Sequence, residues 1–185
     1  VELIGWLENK MLLYTEKERP DFQRINKGTN VSGGKGIMLD IQTSAKDISS
    51  LPDYGSMTLI CLNPTAVAVE DMENSKDEGI REFKKFVGFS KTNPVAAIRT
   101  VHRLNAHQEV RADYMITWFT PNICFSEKAQ GMTVEGADFH FYTKQFSGAA
   151  DVGEYLASHY KTLREQTLLW KNTWYDSTLP HWFLE

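Results

Sequence analysis

Apolar and polar residues alternate with a period of two along much of this chain. Ile37, Leu39 and Ile41 fall on one side of such a run, with Met38, Asp40 and Gln42 on the other. Met57, Leu59 and Cys61 alternate with Thr58 and Ile60. The longest case places Val110, Ala112, Tyr114, Ile116 and Trp118 on one face. Arg111, Asp113 and Thr117 take the other face, with Met115 as an exception. This period marks half-buried antiparallel strands, and it puts Tyr114 and Trp118 in the core. Truncating a buried Trp118 to Ala would then cost about 3–5 kcal/mol. Val1 to Trp6 and Met11 to Tyr14 are short apolar runs of the same kind. Asp138 to Lys144 sets Phe139 and Phe141 against His140 and Tyr142, which also reads as a strand.

Turn-forming residues separate these runs. Thr29 to Gly36 reads as a flexible glycine-rich loop, and Asn63-Pro64 and Thr120-Pro121-Asn122 as sharp turns. Glu70 to Gly79 is an acidic connection, and Glu78 to Phe89 has room for one or two helical turns. The last third changes period. Val152, Tyr155, Leu156, His159, Tyr160, Leu163, Thr167, Trp170 and Trp174 recur at three and four, as on one face of an amphipathic helix. Ser147 or Asp151 offers its N-cap, with Glu154 in the first turn, and Asp176 to Pro180 ends it. A helix of about 24 residues spans about 36 Å. That length suits a strut more than a cap on a small sheet. Strands followed by one long helix, without alternating strand–helix units, predict an antiparallel β-sandwich with a C-terminal helix.

With 185 residues, 42% of them apolar, the chain can bury a full core, so disorder is excluded as its resting state. The net charge of −4, with both signs interspersed, supplies no electrostatic footprint for nucleic acid. No apolar run reaches the ~18 residues of a membrane span. The first residue is Val1, in an apolar run and with no signal-peptide pattern, which reads as an excised segment. The compartment, cytoplasmic or periplasmic/secreted, therefore stays open. Two cysteines, Cys61 and Cys124, make neither a disulfide framework nor a zinc site. They read as buried thiols, with a single bridge as the alternative.

Chemistry-bearing patterns are weak. Ser32-Gly33-Gly34-Lys35-Gly36 lacks the spacing of a phosphate loop and is followed by a strand pattern. Glu70, Asp71, Glu73, Asp77 and Glu78 do not follow the helix–loop–helix calcium pattern. His102, His107, His140, His159 and His181 show no zinc spacing, and no Gly-x-Ser-x-Gly elbow occurs. Asn30-Val31-Ser32 fits a glycosylation triplet, which arises easily by chance. Trp6, Tyr114 and Trp118 are candidates to stack on sugars, but the alternation assigns Tyr114 and Trp118 to the core. No catalytic residue, metal ligand or cofactor site is singled out.

Several motifs, in order, resemble the N-terminal domain of glycoside hydrolase family 116, which includes non-lysosomal glucosylceramidases and bacterial β-glucosidases. Gly5-Trp6-Leu7-Glu8-Asn9 resembles its "GWxEN" strand, and Trp118-Phe119-Thr120-Pro121-Asn122 its "W-x-x-PN" turn. Tyr142 to Ala150 resembles a later "Y-x-x-x-F-x-x-A" run. Leu168-Leu169-Trp170 and Trp174-Tyr175-Asp176-Ser177-Thr178-Leu179-Pro180 resemble the passage into the family's catalytic domain.

The resemblance implies a β-sandwich followed by an (α/α)6 barrel that carries a Glu nucleophile and an Asp acid/base. It places that barrel beyond the end of this chain, so no position here inherits either role. The opening strands of the family's sandwich are likewise expected to be missing. The implied organisation is a sandwich segment over 1–146, a linker helix over 147–175 and a connection to the barrel over 176–185. Trp170, Trp174, Tyr175, Asp176, Leu179, Pro180, Trp182 and Phe183 are the expected domain-junction residues. The implied partners are the chain's own catalytic domain and, through it, a carbohydrate substrate. Exposed tail aromatics and strand edges also predict self-association into a homo-oligomer. The expected function is non-catalytic support for hydrolysis of β-glucosides or related glycosides; the alternative is a carbohydrate-binding module.

Overall fold

A computed structural model describes residues 1–11, 22–45, 54–88, 93–122, 140–176, 178 and 182. Its strands are β1 (Glu2–Glu8), β2 (Phe22–Val31), β3 (Gly34–Thr43), β4 (Ser56–Cys61), β5 (Val67–Val69), β6 (Val95–Val101) and β7 (Tyr114–Phe119). Its helices are α1 (Glu78–Lys84), a short 3-10 turn over Phe141–Lys144, and α2 (Ala149–Tyr175). The strands form two antiparallel sheets, ordered β1-β6-β5 and β2-β3-β4-β7. The chain is mainly β, with a C-terminal helix, as the sequence predicts.

The sheets face each other across a core of Ile37, Leu39, Leu59, Cys61, Ala96 and Ile98, joined by Leu7, Ala68 and Tyr114. Each sheet also has a covered outer face. Met72, Ile80, Val95 and Ala97 form a second cluster outside the smaller sheet, under α1. This explains why Val95-Ala96-Ala97-Ile98 is apolar throughout: β6 is buried on both sides. On the larger sheet, α2 packs against the outer face, so Thr58, Ile60 and Thr117 are buried beneath it. Gly153 permits the contact, since a Cβ there would lie 2.5 Å from Ile60 Cδ1.

Polar side chains tie the sheets together, Asn9 and Tyr114 among them. Asn9 is fully buried at the end of β1, and its amide donates to the carbonyls of Ile25 (3.0 Å) and Asp40 (2.9 Å) in the opposite sheet. The Tyr114 hydroxyl crosses in the other direction and donates to the Leu3 carbonyl at 3.1 Å. Gly5 is small because the Tyr114 ring lies over it; a Cβ there would sit 2.9 Å from the ring.

Four local expectations change. Thr29 to Gly36 is not a loop: β2 and β3 continue to a Ser32–Gly33 turn, with Gly33 left-handed (φ 73°) at the second central position, where a glycine fits without strain. Phe141–Lys144 is a 3-10 turn instead of a strand, held by hydrogen bonds such as Thr143 N–H to the His140 carbonyl (3.0 Å). The N-cap of α2 is Gly148, which has no side chain to cap with. Ser56 of β4 accepts from the Ala149 N–H instead, while Asp151 accepts from the Ser147 N–H. Glu154 is turned away to the β2–β3 hairpin, accepting from Ser32 N–H at 2.8 Å.

The fourth change concerns Trp118. It is 61% exposed, and Ile116 is 47% exposed. The alternation is present, because both lie on the same face as the buried Leu59. The smaller sheet has three strands against four, and β7 is the outermost of the four, so its inward face is only partly covered. Cys61 is buried with a free thiol, and Met11 packs beside Ile41. Cys124, residues 12–14, Asp138 and Phe139 lie outside the described residues.

Candidate functional site

Helix α2 has 27 residues, so it runs for about 40 Å. Its first half is a packed element. Ala149 and Gly153 are buried, and the Thr117 hydroxyl donates to the Ala149 carbonyl at 2.8 Å. The helix then leaves the body beside the segment that leads into β7. There the Arg111 guanidinium donates to the Tyr160 hydroxyl (2.8 Å) and to Asp113 (2.7 Å), with Lys161, Arg164 and Glu165 around it. Asp113 holds the Arg111 guanidinium above its ordinary pKa. This cluster ties the exit of the helix to the segment before β7 through Arg111, which is paired with Asp113.

Beyond that point every residue from Arg164 to Asp176 is exposed. The face that packs on the sheet through Val152 and Leu156 continues at helical spacing through Leu163, Thr167, Trp170 and Trp174. Trp170 and Trp174 stack on each other, with ring centroids 5.9 Å apart and planes inclined by 18°. Leu169 and Tyr175 widen the apolar surface. Of the expected junction residues, Trp170, Trp174, Tyr175 and Asp176 are thus brought together on one projecting helix end, and Trp182 is exposed beyond it. Leu179, Pro180 and Phe183 lie outside the described residues.

A second surface went unrecognised in the sequence. Ile116, Thr117 and Trp118 of β7, Tyr142, and Val152 and Leu156 of α2 line an open groove of about 270 Å³. Its walls are apolar, and its few polar atoms are engaged. The Thr117 hydroxyl contacts Thr58 and the Ala149 carbonyl, and the Tyr142 hydroxyl accepts from Thr120 N–H at 2.9 Å. Only the exposure of Trp118 in three dimensions reveals this groove, because its residues are far apart in sequence.

Two further titratable groups, Cys61 and Asp77, serve the fold. Burial pushes the Cys61 thiol up, outweighing a hydrogen bond with Tyr114, so it is a poor nucleophile. Asp77 caps α1 by accepting from Ile80 N–H (3.0 Å) and pairs with Arg99 (2.7 Å). Burial acts to raise its carboxyl pKa, but the Arg99 and Ile80 hydrogen bonds win and hold it below the ordinary range. Among the described residues, no three His, Cys, Asp or Glu side chains gather as a metal-binding group. No described helix is long and apolar enough to cross a membrane.

No family model matches the chain, and no curated protein or solved structure is similar to it.

Proposed function

We propose that this chain is a non-catalytic support domain of a glycoside hydrolase resembling family 116, and that α2 couples it to the catalytic domain. The observation that carries the proposal is the projecting half of α2. An apolar face that packs on the sheet at one end runs on past it, with Trp170 and Trp174 stacked and exposed. A surface of this kind is suited to burial against another domain. Hydrolysis of β-glucosides would then belong to that other domain, and the sandwich would hold it in place. Rigid support matters because a misplacement of about 1 Å at a reacting centre can cost about a hundredfold in rate.

The gene around this coding segment tests the proposal. The expected finding is a helical barrel downstream, with β-glucosidase activity in the longer protein and none in the 185-residue chain. Aryl-glucoside turnover by the chain alone, or a longer protein without a barrel, would overturn it.

Trp118 favours a second reading, a carbohydrate-binding module, since an exposed Trp on a sheet face can stack on a sugar ring. The groove beside it weakens this reading, because its hydroxyls are already engaged and a sugar needs polar partners as well as a ring. Calorimetry with cello-oligosaccharides separates the two: millimolar or tighter binding that is lost in Trp118→Ala supports the module.

A further inference from the structure

The outer edge of β7 has a defined hydrogen-bonding polarity. Leu62 N–H donates to the Asp113 carbonyl at 2.9 Å, so Asp113 points its backbone groups toward the β4 side. In an antiparallel ladder this orientation alternates. Met115, Thr117 and Phe119 therefore face β4, while Tyr114, Ile116 and Trp118 aim their N–H and C=O groups at the open edge. The next outward residue, Thr120, is already capped: its N–H donates to the Tyr142 hydroxyl (2.9 Å), which in turn donates to its carbonyl (3.2 Å). Among the described residues, no strand pairs with this edge.

Natural sheets blunt such edges with charge, proline or bulges. The segment Tyr114-Met115-Ile116-Thr117-Trp118-Phe119 has no charge and no proline, and it pairs with β4 in unbroken register. Beside it the apolar groove leaves Ile116 and Trp118 exposed.

We infer that the β7 edge is a pairing surface for a second copy of this chain, joining two four-stranded sheets antiparallel about a twofold axis at Ile116. The strand is suited to itself. In that register Ile116 meets the partner's Ile116, and Trp118 lies beside the partner's Tyr114. All of these point their backbone groups outward, as a hydrogen-bonded ladder requires. Asp113 falls opposite the partner's Phe119, so no like charges meet. The Tyr142 cap at Thr120 ends the ladder on each side. The inference stands apart from the proposed function and does not use the tail of α2.

Sedimentation velocity over a wide dilution series, combined with amide hydrogen exchange, tests it on the 185-residue chain. The expected mass rises with concentration toward twice 21.2 kDa, and the Ile116 and Trp118 amides gain protection in parallel. Ile116→Lys should stay monomeric, while the double change Trp170→Glu with Trp174→Glu should still dimerise. If circular dichroism shows Ile116→Lys to be unfolded, Trp118→Lys replaces it, and exchange on the wild-type chain decides alone. A monomer at every concentration overturns the inference, as does a dimer that only the helix-tail variant abolishes. Protection of the β7 amides that does not depend on concentration also overturns it, because the edge is then filled within one chain.

Discussion

Asn9 and Trp118 are both polar-or-aromatic residues of the kind that invite a binding role, and the fold sends them in opposite directions. Asn9 is fully buried and hydrogen-bonded to two carbonyls of the opposite sheet, so its task is to join the layers. Replacing it with Ala removes both of these hydrogen bonds between the sheets. Asn9→Ala is expected to lose about 1–3 kcal/mol, seen as a lower urea midpoint with an unchanged slope. Trp118 stands in solvent beside a groove, so Trp118→Ala should change the stability of the monomer by no more than about 0.5 kcal/mol. A loss of several kcal/mol would restore the core assignment that its alternation suggests. The alternation was a sound guide to which face Trp118 occupies. It carried no information on how far the facing sheet extends, and that decides burial at an outer strand. Gly5 and Asn9, conspicuous in the opening motif, are explained by packing under Tyr114 and by the tie between sheets.

At the scale of elements, α2 was the most legible feature, because a three-and-four repeat sustained over six turns has no competing explanation. The Gly-rich hairpin was harder: a two-residue turn flanked by further glycines has the composition of a loop, and only the ladder from Phe22 to Thr43 reveals it. The short run near Phe141 fits a period of two over too few residues to exclude a 3-10 turn. Docking of α2 depends on Gly153, whose missing side chain admits Ile60. Gly153→Val should overpack that contact and destabilise the chain by about 1–3 kcal/mol, measured by denaturant unfolding. Helix α1 is fastened by charge. Asp77 has a lowered pKa in the fold, so its contribution is present above the ordinary carboxylate value of about 3.9 and disappears as pH falls through the folded value. Stability should therefore drop on acidification below about pH 4. That part of the drop should be missing in Asp77→Asn when urea midpoints are compared across pH.

At the scale of the whole molecule, two sheets share one core, each outer face is covered by a helix, and one helix continues into solvent. The architecture was readable because strand and helix periods occupy separate stretches of the chain. The projecting surface was readable because its aromatics recur on one helical face. The groove was not, since it assembles from Trp118, Tyr142 and Leu156, which only the fold brings together. The central claim is that the end of α2 is half of an interface between domains. The most direct measurement is oxidative footprinting of Trp170 and Trp174, in this chain alone and in a longer protein that carries the proposed catalytic domain. The account predicts high reactivity of both indoles in the chain alone and strong protection in the longer protein. Equal reactivity in the two would contradict it.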